Sequence, residues 1–266
     1  MRTFVVDSFT DVRFKGNPAG VCFPQEALSD ELMLSIANEL QYSETAFVQL
    51  SEAPNIFSIR FFSPKMEIPL CGHATLASAS TVFDLYNLKY ATFVNVEGVA
   101  LEVEQWGEWI RMVFPEYPLF EAEIPRPMME ALGIEQIESS FYNSETNILV
   151  IEISDATQLK SLQPDYVQLV ASHSTVGGVL VMAEGDENYD YYYRHFWPWN
   201  GTNEDPVTGA VQSFLGPYWS RKLGKTQLKA FQPSARSGFM NVHLHDDKVF
   251  ISGKAVRVLE GQFLLD

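Results

Sequence analysis

Arg60-Phe-Phe-Ser-Pro64, followed by Cys71-Gly-His-Ala-Thr75 and the small-residue run Leu76 to Phe83, has a counterpart later in the chain. There Arg194-His-Phe-Trp-Pro198 is followed by Asp205-Pro-Val-Thr-Gly-Ala210 and Val211 to Trp219. The Arg-to-Thr spacing is 15 residues in the first copy (60 to 75) and 14 in the second (194 to 208). Each copy reads as a strand, a loop carrying Pro, a tight polar turn, and a helix whose first turn holds Gly, Ala and Thr. Small residues let backbones approach closely, and a helix start points unpaired N–H groups outward. Spacing alone leaves two readings open: a duplication, or two unrelated strand-turn-helix units. Read as a duplication, it predicts two similar halves joined near the Pro-rich stretch Pro115 to Pro127. The halves would run over 1–116 and 117–254, with 255–266 a candidate strand to complete the first.

Outward from these copies, most of the chain alternates short β-like runs with turn residues. Phe4 to Asp7, Phe47 to Leu50, Phe57 to Phe62, Thr92 to Val96 and Trp109 to Phe114 read as strands from β-branched and aromatic content. Asn147 to Ile153, Gly178 to Met182, Tyr189 to Phe196, Met240 to Leu244 and Val249 to Ser252 read likewise. Helices are fewer. Ser29 is an N-cap candidate before Asp30 and Glu31, and apolar Met33, Ile36, Ala37 and Leu40 follow the i, i+3, i+4, i+7 stripe. The fold class is α+β.

The 266 residues carry 34 acidic and 18 basic side chains, a formal charge of -16. That balance argues against nucleic acid and anionic membranes, which are held by Lys and Arg. With 46% hydrophobic residues the chain has ample core material, so global disorder is excluded. Cys22 and Cys71 are too few for a disulfide scaffold or a four-thiolate zinc site. Met-Arg-Thr-Phe-Val-Val-Asp turns polar too soon for a secretory signal, so the expected location is the cytoplasm. No run approaches the ~20 apolar residues of a spanning helix.

Three ionisable residues stand where acid/base chemistry needs them. Glu44 lies between an apolar helix and a strand expected near Phe47, where partial desolvation raises a carboxyl pKa. The alternative is an exposed loop glutamate. His73 sits at a helix start, whose dipole favours neutral imidazole, able to donate or accept a proton; a satisfied structural histidine is the competing reading. Asp205 leads the second helix start, where an ordinary N-cap is the competing reading. Cys71 at the same helix start as His73 has no second cysteine near residues 205–210 to face, so it reads as structural. His243 and His245 share a strand face without a third ligand, and Asp246-Asp247 read as a hairpin turn. Tyr189 to Trp199 reads as a core strand rather than the wall of an aromatic pocket. No nucleotide-binding glycine motif occurs, and neither a cofactor nor a metal is expected.

Taken in order, Asp7-Ser-Phe-Thr10, Gly16-Asn-Pro-Ala-Gly20, Ser43-Glu-Thr-Ala-Phe47, Cys71-Gly-His-Ala-Thr75 and Glu204-Asp-Pro-Val-Thr-Gly209 resemble the motifs of the PhzF-like family, named for a phenazine-biosynthesis isomerase. The resemblance spans nearly the whole chain. It implies two pseudo-symmetric halves, each a mostly antiparallel sheet curled around a central helix, as in diaminopimelate epimerase. It also implies an active site in the cleft between them and a homodimer. Carried over, Glu44 matches the family's catalytic acid/base, and His73 and Asp205 match pocket residues. Gly72 and Gly209 would lend backbone N–H groups, with Thr75 and Thr208 also on the substrate, a small carboxylate. The resemblance thus implies a cofactor-independent isomerase moving a proton at carbon. An amino-acid epimerase or racemase, and a non-catalytic binding protein on the same scaffold, stay as alternatives. The phenazine enzyme has Thr-Gly-Ser-Ala-His where this chain has Thr208-Gly-Ala-Val-Gln212, which separates this chain from the phenazine substrate itself.

Overall fold

In the computed structural model, residues 1–265 are described, and they divide into two compact units, Met1–Val113 with Phe250–Asp266, and Phe114–Val249. The first contains β1 (Arg2–Ser8), β2 (Asn17–Phe23), α1 (Asp30–Leu40), β3 (Glu44–Leu50), β4 (Ile56–Phe62), β5 (Glu67–Ile68), α2 (Gly72–Tyr86), β6 (Tyr90–Val94), β7 (Ala100–Trp106) and most of β8 (Trp109–Pro115). The second contains β9 (Phe120–Glu121), α3 (Arg126–Leu132), β10 (Ser139–Asn143), β11 (Ile148–Glu152), α4 (Ala156–Ser161), α5 (Tyr166–Ala171), β12 (Gly178–Glu184) and β13 (Tyr191–Trp197). It continues through β14 (Thr202–Glu204), α6 (Gln212–Leu223), β15 (Gln227–Gln232) and β16 (Gly238–His245). After β17 (Lys248–Gly253), the last strand β18 (Ala255–Gln262) pairs antiparallel with β1 and so belongs to the first unit.

In the first unit β1–β2, β3–β4, β4–β5 and β6–β7 pair antiparallel, while β2–β3 and β4–β6 pair parallel. The second unit repeats that order: β10–β11, β12–β13, β13–β14 and β15–β16 antiparallel, β11–β12 and β13–β15 parallel. The repeat read in the sequence is therefore a repeat of topology. Both arginines clamp the short strand that follows. Arg60 donates to Glu67 at 2.7 and 2.6 Å, and Arg194 donates to Glu204 twice at 2.7 Å. Such forked pairs fix direction as well as contributing energy.

Aligning the units on these arginines defines equivalent positions. Phe47 faces Arg60 across β3–β4, and Val181 faces Arg194 across β12–β13. Three residues earlier, Glu44 and Gly178 each begin their strand. Four residues beyond the paired glutamates, Cys71-Gly72-His73 is the counterpart of Thr208-Gly209-Ala210 in the alignment. The Arg-to-Thr spacing, which matched Thr75 with Thr208, is corrected by this register.

Local chemistry explains the elements that position these residues. In α1 the Ser29 side chain accepts from the Leu32 N–H, and Met33, Ile36 and Ala37 are buried, the expected stripe. The turn between β1 and β2 needs Gly16, whose φ is +66° and whose added Cβ would lie 2.1 Å from the Ser8 carbonyl oxygen. Helix α2 is the centre of its unit, buried along Gly72–Ala79 and at Thr81–Phe83. Its buried hydroxyls are satisfied within the helix: Thr75, Ser78 and Thr81 donate to the carbonyls four residues back at 2.7, 2.7 and 2.9 Å. Helix α6 tolerates Pro217 because the Ser213 carbonyl, left without its helical donor, accepts the Tyr117 N–H at 2.9 Å.

Some boundaries differ from expectation. The strand near Phe47 begins at Glu44, because parallel pairing of Ala19 with Glu44 extends the ladder. The second helix begins at Gln212 rather than in the Thr208-Gly-Ala210 turn. Gln212, Ser213 and Phe214 donate to carbonyls three residues back, so the lead-in is a tight turn. The short helices α3, α4 and α5 were not anticipated, although Asp155 and Asp165 cap two of them. Asp246 and Asp247 form the two-residue connection between β16 and β17 with φ of 47° and 56°, the hairpin turn expected of them. Among the described residues no helix is long and apolar enough to cross a membrane.

Candidate active site

Glu44, Cys71 and His73 come together in the first unit. Glu44 heads β3, Cys71 is the N-cap of α2, and His73 lies in its first turn; all three are buried. His73 Nε2 lies 3.2 Å from Glu44 Oε2 and 3.4 Å from Ser43 Oγ, while its Nδ1 lies 3.4 Å from Cys71 Sγ. Ser43 also donates to Asn17 Oδ1 at 3.5 Å, and Ser8 donates to the His73 carbonyl at 2.7 Å. The first three sequence motifs thus buttress the fourth.

Burial raises the Glu44 carboxyl pKa above its ordinary 4.5, opposed in part by hydrogen bonds from Ser43 and Cys71. A carboxyl that gives up its proton reluctantly, against an imidazole, is poised to take a proton from carbon and return it. No side chain caps α2, so its start presents backbone N–H groups beside this pair. Thr75, expected on the substrate, is buried and gives its hydroxyl to the Cys71 carbonyl.

One donor atom from each of Glu44, Cys71 and His73 lies within 4.8 Å of the others, the one convergence of three metal-binding groups among the described residues. The cluster fits a metal poorly as it stands. Cys71 Sγ is 3.4 Å from His73 Nδ1 but 4.0 Å from Nε2, the nitrogen that meets Glu44. The thiol therefore lies along the ring, not on the lone pair that a shared ion would use. His243 and His245 stack at 6.3 Å, with the Asp246 carboxylate 3.2 Å from His245 Nε2, and among the described residues they belong to no convergent group of three metal-binding side chains.

Asp205, Thr208 and Gly209 lie in the second unit. The Thr208 hydroxyl donates to Asp205 Oδ2 and meets His195 Nδ1 at 3.1 Å. The Asp205 N–H donates to the His195 carbonyl at 3.0 Å, and Gln232 bridges the Thr208 N–H (2.9 Å) and the Asp205 carbonyl. Asp205 is thus held inside the turn rather than capping α6. Gln212 is fully buried and accepts from the Tyr191 hydroxyl. The departure at this position answers to core tyrosines, and Tyr191–Trp197 is a core strand as read.

Of the residues singled out in the sequence, Glu44 and His73 meet in the first unit and Asp205 lies in the second; Cys71, read as structural, touches both Glu44 and His73. Ser43 and His195 were missed. Ser43 adjoins Glu44 in a quoted motif, the only signal it carried. A cavity of about 210 Å3, lined in part by Leu28, Met33, Phe47 and Arg60, involves none of these residues.

Residues 6–261 match the family model described as phenazine biosynthesis-like protein. The chain belongs to the phenazine biosynthesis-like family. It is 39% identical over 266 residues to a protein of Halalkalibacterium halodurans named an uncharacterized isomerase, covering 98% of each. A crystal structure of a PhzF-family protein of Enterococcus faecalis superposes with a TM-score of 0.92 at 33% identity, covering 99% of both chains. A probable proline racemase from Agrobacterium radiobacter, at 12% identity and a TM-score of 0.64, covering 100% of this chain and 93% of that one, shares the fold alone. The α+β fold of this phenazine biosynthesis-like protein is thus the one also used by racemases.

Proposed function

We propose that this family member is a cofactor-independent isomerase, moving a proton at carbon in a small carboxylate substrate. The observation that carries the reading is the buried Glu44 carboxyl held 3.2 Å from His73 Nε2 at the uncapped start of α2. Glu44 breaks a C–H bond by accepting its proton, the electron pair delocalises toward the substrate's carboxylate or conjugated system, and the same proton returns to another carbon. His73 orients the carboxyl, and the helix start binds the substrate's anionic group. Gly72 belongs to that helix start. Asp205, Thr208 and Gly209 are assigned to the substrate by the family motif. The name of the Halalkalibacterium relative supports the reaction class. A cytoplasmic homodimer completes the proposal, and a monomeric mass by light scattering contradicts that part.

The test is deuterium wash-in from heavy water into a panel of amino acids and cyclic carboxylates, read by NMR. One chemical class is expected to exchange, and Glu44→Gln to slow exchange by about 10³-fold. Exchange unchanged in Glu44→Gln contradicts the mechanism. Carboxylates that raise the melting temperature while none exchanges indicate a binding protein.

A two-base epimerase is the second reading, favoured by the Cys71 thiol beside Glu44. Bases that invert a carbon stand on opposite faces of it, whereas these two are hydrogen-bonded to each other. Cys71→Ala is therefore expected to retain most exchange; abolished exchange reinstates the thiol as a base.

A further inference from the structure

We infer that His195 is a positioning residue, fixing the Asp205 carboxylate through the Thr208 hydroxyl. The inference rests on the proposed assignment of Asp205 to the substrate. A hydroxyl has one hydrogen, and that of Thr208 goes to Asp205 Oδ2. Its oxygen, 3.1 Å from His195 Nδ1, therefore accepts from the ring, so Nδ1 carries the proton. Burial pushes the His195 pKa down to about 4, so near neutral pH the ring is neutral and Nδ1–H is its one N–H. The chain His195 Nδ1–H, Thr208 O–H, Asp205 carboxylate thus has one direction. With the Asp205 N–H on the His195 carbonyl and Gln232 on the Asp205 carbonyl, the aspartate is held at three points.

Two independent observations separate this role from packing. The equivalent position in the first unit is Phe61, also fully buried, so the shared frame takes a phenyl ring there. Gly178 stands where an added Cβ would lie 2.7 Å from His195 Nε2, so the space opposite the ring is given over to it. An imidazole seated in a phenyl's place, with its Nδ1 on Thr208, is placed for its hydrogen bond.

The first test needs no substrate. Long-range 1H–15N spectra of the histidine-labelled full chain are expected to show His195 with the proton on Nδ1. In Asp205→Asn the carboxylate that claims the Thr208 hydrogen is gone, and the Nε2–H form is expected to rise. A wild-type ring protonated on Nε2, or a tautomer unmoved by Asp205→Asn, overturns the inference. The second test uses whichever carboxylate exchanges deuterium. His195→Phe is expected to lower kcat about tenfold with KM nearly unchanged, and His195→Asn, which keeps a donor near the Nδ1 place, to recover most of it. Equal loss in both variants at equal folded fraction overturns it. A panel in which nothing exchanges counts against the isomerase reading, while the tautomer test still decides the positioning network.

Discussion

The two units share one strand order and one arginine–glutamate clamp, yet they differ at three equivalent positions. The first has Glu44, Cys71 and His73, and the second Gly178, Thr208 and Ala210. Where the first unit puts a carboxyl at the head of its strand, the second has no side chain, and the His195 ring comes close to that backbone. The comparison teaches that the two units keep one frame while the carboxyl–imidazole contact of Glu44 and His73 occurs in the first only. The second copy turned the same turn into a hydrogen-bonded mount for Asp205.

The shared clamp offers the largest way to break the comparison. Arg194 and Glu204 are 6% and 14% exposed, against 28% and 26% for Arg60 and Glu67. Arg194→Met strands a buried carboxylate and is expected to cost about 3–5 kcal/mol in urea unfolding. Arg60→Met, better solvated, is expected to cost about 1 kcal/mol. Equal losses contradict the claim that the two clamps differ in burial.

His195 provides the next effect. Its folded pKa of about 4 lies below the ordinary 6.5, so its stabilising contribution is present above 6.5 and lost as pH falls from there toward 4. The loss amounts to about 3 kcal/mol over that window, and His195→Phe is expected to remove this slope. A variant with the wild-type slope contradicts a neutral buried ring.

Gly178→Ala probes the space that the second unit leaves open. Its Cβ would meet His195 Nε2 at 2.7 Å, Trp197 Cβ at 3.1 Å and the Phe196 carbonyl oxygen at 3.2 Å. Overpacking of this kind costs about 2 kcal/mol, measured as a lower denaturation midpoint. A neutral substitution would mean that the ring is not confined there.

The smallest effect is a sign. Glu44 titrates above its ordinary value, so its contribution is greatest where the carboxyl is protonated and is lost as pH rises through the folded pKa. Glu44→Gln is therefore expected to gain on the wild type in stability as pH rises and to converge with it in acid.

Much of this arrangement was legible in the chain. The repeated strand, Pro loop and turn are local features, and they led to two halves and to the helix starts with His73 and Asp205, while Glu44 stood out by its place between a helix and a strand. What escaped depends on contacts distant in sequence. The start of β3 at Glu44 is set by Ala19, 25 positions away (44 minus 19) on another strand. Cys71 read as structural because no second cysteine faces it, and its hydrogen bond to Glu44, 27 positions away (71 minus 44), closes only when β3 and α2 meet. His195 read as one more ring in a core strand, and its tie to Thr208 closes only when β13 and the turn after β14 meet. Gly178 read as no more than the first residue of a strand, since nothing local marks the ring that approaches it.

The central claim is that burial makes Glu44 the proton carrier of the first unit. Following the Glu44 side-chain carboxyl carbon by NMR through a pH titration of the intact protein tests it most directly. The account predicts a midpoint above the ordinary 4.5, absent from the spectra of Glu44→Gln. A midpoint at or below 4.5 would contradict it.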